Sequence, residues 1–579
     1  MKKLIRQVAI VAIGAFAIYF FKSKKNKFLN KEKVIFHDYN RPVSGLDPIL
    51  VEDNTSLHEA SKVYEGLLEY HYLKKPVEII PNLADSLPEI SEDGTRYTFK
   101  IKKGVFFQDN KCFPNGKGRE LKSTDFIYSI KRFADPKNSA PLYSTIDGKI
   151  LGLNEWREKN KDLESTDYSI AVAGLEYIDD YTFSIKLNEA DPLFIYNFCM
   201  WIFYVVPKEA VDYYGDNFTN HPVGTGPFII EGFNPQSNKI VAVKNKNYRD
   251  KRYPSEASEH LKHLLGPAGK KIPFVDKIIA NIIIEDQTRW FKFKKKEIDI
   301  LDLYSFSDIK EKVKDGEIID SSLIKMNVGL ALRPFSHTDF YGINCCDDVM
   351  KNVKLRQAMS LAYDREGGNT LLNGGVHTVA KGMIPPTMKS YDPSSLSKYS
   401  TYNLEEARAL LSEAGYPEGK GLGKITLDIK QGAQDYREAE YFKKCMEKIG
   451  IDIEIRVSSW PELLNKVKNK SCQLFKFQWF ADYPNAENFL VLFVSTRPGV
   501  YTYYSNSEYD KLYDKATKIS LDREEEIENI YKEMNKILVN DAPVFTKIHA
   551  HQVVLFHENI LNFEPWDVKL NIYEYIDKK

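Results

Sequence analysis

Ile425-Thr426-Leu427-Asp428-Ile429, the segment from Glu438 to Ile449, and Ile451-Asp452-Ile453-Glu454-Ile455 together decide the fold class of this chain. The two outer segments alternate apolar and polar residues and are rich in β-branched side chains, which marks them as strands. The segment between them carries helical periodicity. A strand, a helix and a second strand of these lengths lie with the strands side by side and parallel, so the expectation is an α/β lobe on a largely parallel sheet.

Working outward, Lys354 to Tyr363 and Asn403 to Ala414 repeat the helical spacing, and the second closes on Gly415. Upstream, Arg96 to Ile101 followed by Lys103 to Phe107 reads as a hairpin, and a similar strand recurs at Tyr181 to Leu187. Ser123-Thr124-Asp125 opens a helix that runs through Phe133 and ends at Asp135-Pro136. Pro222 to Pro227 is a tight Gly/Pro loop leading into Phe228-Ile229-Ile230, with Ile240 to Val243 as partner strand.

The chain has 579 residues, 43% hydrophobic and 13% aromatic, enough for roughly two to four domains. Lys+Arg and Asp+Glu both number 81, so no overall field draws the protein to nucleic acid, and the lysine clusters at 22–33 and 292–296 are local. Abundant Tyr (35) and Phe (33) suit aromatic-lined cavities as well as large aromatic cores. Cys112, Cys199, Cys345, Cys346, Cys445 and Cys472 show neither zinc spacing nor a disulfide framework, although the adjacent Cys345 and Cys346 could form a vicinal bridge. Met1 to Arg6 is a basic leader and Val8 to Phe21 an apolar run of signal length. Export follows. The small-x-small site Ala15-Phe16-Ala17 lies inside the run, so the segment is either cleaved or kept as an anchor over residues 4–21.

Catalytic templates are absent from the sequence. His58-Glu59-Ala60-Ser61-Lys62 lacks the second histidine of a zinc protease, and no G-x-S-x-G or Walker A loop occurs. His549-Ala550-His551 places two imidazoles on one face of a strand, a metal pair or a pair of structural histidines. The most suggestive stretch is Trp479-Phe480-Ala481-Asp482-Tyr483-Pro484, directly after the apolar run Gln473 to Phe477. An aspartate in such surroundings either caps the following turn or needs a cation to offset its desolvation.

The ordered set Gly45-Leu46-Asp47-Pro48, Val63-Tyr64-Glu65-Gly66-Leu67-Leu68, Pro81-Asn82-Leu83-Ala84, Lys122-Ser123-Thr124-Asp125-Phe126, Gly224-Thr225-Gly226-Pro227-Phe228, Val353-Lys354-Leu355-Arg356-Gln357-Ala358 and Ala409 to Pro417 resembles the family 5 extracellular solute-binding proteins. These are the periplasmic oligopeptide- and dipeptide-binding components of ABC importers, and the likeness covers nearly all of the chain after Val34. The resemblance implies a two-lobed periplasmic-binding-protein fold (type II, cluster C) with an extra domain beside the first lobe. Carried onto this chain, 1–33 is a signal or membrane anchor, 34–76 with 204–315 and 551–579 is lobe I, 77–203 the extra domain and 316–550 lobe II. It further implies capture of a peptide by lobe closure, delivery to an inner-membrane permease, a periplasmic or membrane-tethered monomer, and no metal or cofactor.

By the same resemblance Asp482 pairs with the peptide α-ammonium, Trp479, Phe480 and Ala481 face the ligand backbone, Glu52, Asp53 and Asn54 face it from the first lobe, and Lys476 is a basic pocket residue. Residues 255–270 look like an insertion, and no motif locates a partner for a peptide carboxylate. Members of the family also bind nickel complexes, haem or sugars. Two other readings are a periplasmic hydrolase working with Glu52 or Asp53 against Asp482, and a membrane-tethered peptide sensor.

Overall fold

The computed structural model describes residues 32–579 except 305, 307, 395–397, 497–499 and 566–567. The leader expected at 1–33 therefore lies almost wholly outside the described residues, within which no helix is long and apolar enough to cross a membrane. All six cysteines are free.

The crossover unit forms as expected: Lys424–Lys430 and Asp452–Ser458 pair in parallel, Ile425 opposite Ile453, with helix Ala433–Glu447 between them. Lys424–Lys430 also pairs in parallel with Leu474–Phe480. Beyond these strands the expectation of a largely parallel sheet is corrected. The next pairs, Leu474–Phe480 with Gly329–Ile343, Gly329–Ile343 with Val544–Phe556, and Val544–Phe556 with Ile300–Asp302, are all antiparallel. A segment's own periodicity says nothing about the direction of a neighbour that arrives from far along the chain.

In that mixed sheet, Tyr341 and Phe340 point to opposite faces, as strand alternation demands. Tyr341 packs in a core with Ile343, Leu427 and Phe442, whereas Phe340 joins Phe489, Tyr531 and Met534 on the other side. Helices on both faces close these cores. Arg356, from one of the sequence pieces, caps the end of helix Glu524–Asp541: its guanidinium donates to the carbonyls of Asp541 (2.6 and 3.0 Å) and Ala542 (3.1 Å), which the helix leaves without internal partners.

A second sheet orders Val34–Tyr39, Lys277–Ile282, Lys239–Lys244 and Phe228–Ile230, the last two in the expected pairing with Ile229 opposite Val243. A third, antiparallel sheet holds Glu89–Ile90, Arg96–Lys100, Thr182–Lys186 and Leu175–Asp179. Here the hairpin expected between Arg96–Ile101 and Lys103–Phe107 is replaced. Arg96–Lys100 pairs with Thr182–Lys186, and the chain after the Gly104 turn runs instead beside 119–121, where Leu121 N–H donates to Val105 C=O at 2.8 Å. Two strands read separately in the sequence are each other's partners.

The second and third sheets share one apolar core, containing Leu46, Tyr64 and Ile278 together with Phe99, Phe126 and Phe183. Several of the recognisable sequence pieces are joints of this body. Gly224 and Gly226 press against Val63, whose carbonyl would stand 2.1 and 2.6 Å from a Cβ at those positions. Only glycine permits that approach. Thr225 Oγ1 then donates to Glu65 Oε2 at 2.9 Å. Helix Ser123–Ala134 begins at the predicted place, and its Arg132 donates two hydrogen bonds to Asp47 at 2.8 and 2.5 Å, both side chains being buried.

The strands Gly329–Ile343 and Val544–Phe556 run through both parts of the molecule. Residues 329–334 pair with 551–556, residues 338–342 pair with 544–549, and the register shifts between Pro334 and Thr338 and again between Asp339 and Phe340. We propose that the chain crosses between the lobes at this irregularity, which would move the crossing expected at 315/316 to about 335.

Because Asp47→Ala would strand a buried guanidinium, it should lower stability by about 3–5 kcal/mol. Equilibrium denaturation measures this, and a loss under about 1 kcal/mol, the range of exposed pairs, would contradict the joint assigned to it.

Candidate functional site

Strand Leu474–Phe480 delivers the suggestive stretch to the crossing. Its register sets Trp479 opposite Thr338, Phe480 opposite His337 and Lys476 opposite Tyr341. Alternation therefore divides the candidate residues between two faces. Trp479 lies with the Phe340 side, and Phe480 and Lys476 lie on the other. Phe480 stacks on His337 with centroids 4.1 Å apart, and Tyr304 approaches the same imidazole edge-on.

Immediately after the strand, Ala481 N–H donates to Ser336 C=O at 2.8 Å, which pins the chain to the irregular stretch between Pro334 and Thr338. Asn488 on the short helix Glu487–Leu490 then fixes the turn. Its Oδ1 accepts from Trp479 Nε1 (3.0 Å) and from the Asp482 N–H (3.1 Å), while its amide nitrogen reaches Asp482 Oδ2 at 3.5 Å. Asn488 itself is held because Phe489 and Leu490 are fully buried beside it. Asp482 does not cap the helix Glu487–Leu490, whose N-cap position is Ala486; it is Asn485 whose Oδ1 accepts from Glu487 N–H, at 2.9 Å.

Asp482 keeps solvent contact, yet protein packs around it closely enough that desolvation raises its pKa above the ordinary aspartate value. Glu487 pushes in the same direction, and the Asn488 amide opposes both. Among the described residues Asp482 has no cationic partner. Glu487 is buried and shares its carboxylate between the hydroxyls of Tyr483 and Tyr513, the latter at 2.5 Å, and burial raises its pKa as well.

Lys476 is not brought to Asp482. Its ammonium pairs with Asp435 (2.7 Å) and Glu438 (2.6 Å) of helix Ala433–Glu447, and Lys547 joins Glu438 and reaches Asp339 at 3.5 Å. The two lysines overcome the desolvation of Glu438 and bring its pKa down to about 2. All these side chains are about nine-tenths buried or more. Far along the chain from this strand, Asp53 caps helix Asn54–Ala60 by accepting from Ser56 N–H at 2.8 Å and also accepts from Ser44 Oγ at 2.8 Å. Glu52 and Asn54 are exposed and make no side-chain hydrogen bond among the described residues. No bond or ring contact among those residues links Glu52, Asp53 or Asn54 to the 479–482 segment.

His549 and His551 act as structural histidines. His549 shares a 2.9 Å hydrogen bond with Thr338 Oγ1, and His551 N–H donates to His377 Nδ1 at 3.1 Å. Burial lowers the pKa of both imidazoles, and the described residues contain no group of His, Cys, Asp or Glu arranged to hold a metal.

The raised pKa of Asp482 gives a pH test with a definite sign. The folded carboxyl keeps its proton to a higher pH than the unfolded one, so the folded state binds more protons in between and stability falls as pH rises through the raised value. Asp482→Asn should therefore melt higher than the native protein at pH 7, and thermal melts should show the gap closing as pH falls below that window. A gap independent of pH would refute the desolvated carboxylate.

The family model for bacterial extracellular solute-binding proteins, family 5, matches residues 78–500. Heme-binding protein A of Haemophilus influenzae is 26% identical over 517 residues, covering 87% of this chain and 85% of that protein. The dipeptide-binding protein of Escherichia coli is 26% identical over 519 residues, covering 87% of each. In fold, the chain is similar to the periplasmic binding protein DppA of Helicobacter pylori, solved with the peptide STSA, at a TM-score of 0.70 and 23% identity, over 94% of this chain and 98% of that one. The chain belongs to the family 5 bacterial extracellular solute-binding proteins, and it is a solute-binding protein of ABC transport and not an enzyme.

Proposed function

We propose that this protein captures peptides with a free amino terminus outside the inner membrane and delivers them to an ABC permease. The observation that carries the reading is Asp482: an exposed carboxylate tethered by Asn488, with its pKa raised by the protein around it and no cationic partner among the described residues. An α-ammonium supplies the missing charge through a charge-assisted hydrogen bond.

A second feature supports an extended ligand. Leu474–Phe480 is paired with Gly329–Ile343 along its whole length, but its other edge meets Lys424–Lys430 only at Leu474 and Phe475. The edge from Lys476 to Phe480 is thus left for another strand, and a peptide main chain fits it by strand addition. On this reading Trp479, Phe480 and Ala481 line the peptide, and Glu52 and Asn54 meet it from the first lobe. Asp53 contributes by capping the helix that begins at Asn54, and Lys476 by balancing the acids beneath the strand.

Lobe closure about the crossing at 334–338 then favours the liganded form, because only that form contacts the peptide from both sides. The exported location follows from the leader, cleaved or retained as a tether. Heme-binding protein A is as similar to this chain as the dipeptide-binding protein. Haem carries no amine, so Asp482 favours peptide.

Calorimetry with short peptides checks the proposal. Tripeptides with a free amino terminus should bind, and Asp482→Ala should weaken them by about 2–5 kcal/mol, the range for removing one side of a buried charge pair. N-acetylated peptides bound as tightly as free ones, or haem bound in their place, would overturn it.

A further inference from the structure

The segment next to Asp482 touches a part of the molecule that lies in neither sheet flanking the crossing. Tyr483 stacks on Tyr196, with centroids 5.2 Å apart and planes 18° from parallel. Tyr196 sits on the 3-10 turn Pro192–Cys199, whose Phe194 and Phe198 pack on Tyr97 and Phe99 of the antiparallel 89–186 sheet. That turn is therefore rigidly attached to the domain beside the first lobe.

The surroundings extend the ring pair: the Lys149–Asp191 ion pair (2.9 Å) lies within electrostatic reach of Glu487. Tyr483 in turn donates to Glu487, which Tyr513 also holds. From Tyr196 the contacts thus run through Tyr483 to the turn that Asn488 ties to Asp482.

We infer that the domain beside the first lobe supplies a third wall of the ligand site, with Tyr196 clasping Tyr483 when the lobes are closed and so slowing escape of whatever Asp482 holds. Tyr196 is a positioning residue: it acts on the ligand through Tyr483. The clasp rests on the reading of Asp482 as ligand anchor, but its geometry can be tested without any ligand. Stacked rings of this kind contribute modestly, so the expected effect is on residence time and not on whether binding occurs.

Two measurements on the full chain decide it. In stopped-flow experiments with the probe peptide Ala-Ala-Ala, Tyr196→Ala should speed dissociation about three- to tenfold with association little changed, and Tyr196→Phe, which keeps the ring, should stay within about threefold of native. Without ligand, nitroxides at the exposed positions Lys161 and Lys511, in a Cys346→Ser background, should report longer distances in Tyr196→Ala than in the native protein. Unchanged dissociation with an unchanged distance distribution overturns the clasp. If Ala-Ala-Ala fails to bind the native protein, the functional reading fails instead, and the distance measurement alone decides the clasp.

Discussion

The structure hangs on two long antiparallel strands, Gly329–Ile343 and Val544–Phe556, that belong to both halves of the molecule. Their pairing is regular over 329–334 and shifts between Pro334 and Thr338 and again between Asp339 and Phe340. A register shift weakens and bends a ladder locally without cutting it. We propose that the two halves move about this stretch, and Ser336, inside it, accepts the hydrogen bond from Ala481 that seats the turn carrying Asp482. The proposed ligand anchor and the proposed hinge are neighbours in the backbone hydrogen-bond network.

Most of the buried acids are charge-paired, Glu487, held by the hydroxyls of Tyr483 and Tyr513, being an exception. Asp435, Glu438 and Asp339 lie beneath the site and share Lys476 and Lys547. Asp47 has Arg132, and Glu65 has Arg249. Buried carboxylates without such partners are costly, and proteins keep that cost mainly where function requires it. Asp482 differs from these in being exposed, held by a neutral amide and without a cation among the described residues, an arrangement that we propose a ligand completes.

Local signals carried much of the fold. The crossover 425–455, the helix at 123–134 and the pair 228–230 with 240–243 all form as their periodicity and turn residues indicate. Long-range pairing was not legible. Arg96–Lys100 chose Thr182–Lys186 over the segment that follows it, and the sheet of the second half gained antiparallel strands from distant parts of the chain. At the site, the aspartate among aromatics was visible, but its tether Asn488 is a lone polar residue beside Phe489 and Leu490 and carries no motif. The face occupied by Lys476 follows from register alone, and register depends on the partner strand. Tyr196 had no sequence signal, because its role arises only when two remote segments are packed together.

The most direct measurement is the pKa of the Asp482 carboxyl, followed by carbon NMR with and without a bound free-amine peptide. Desolvation without a cation predicts a value above the ordinary aspartate range in the ligand-free protein, and ion pairing predicts a fall below that range in the complex. The same value in both states would show that no ammonium meets Asp482 and would contradict the account.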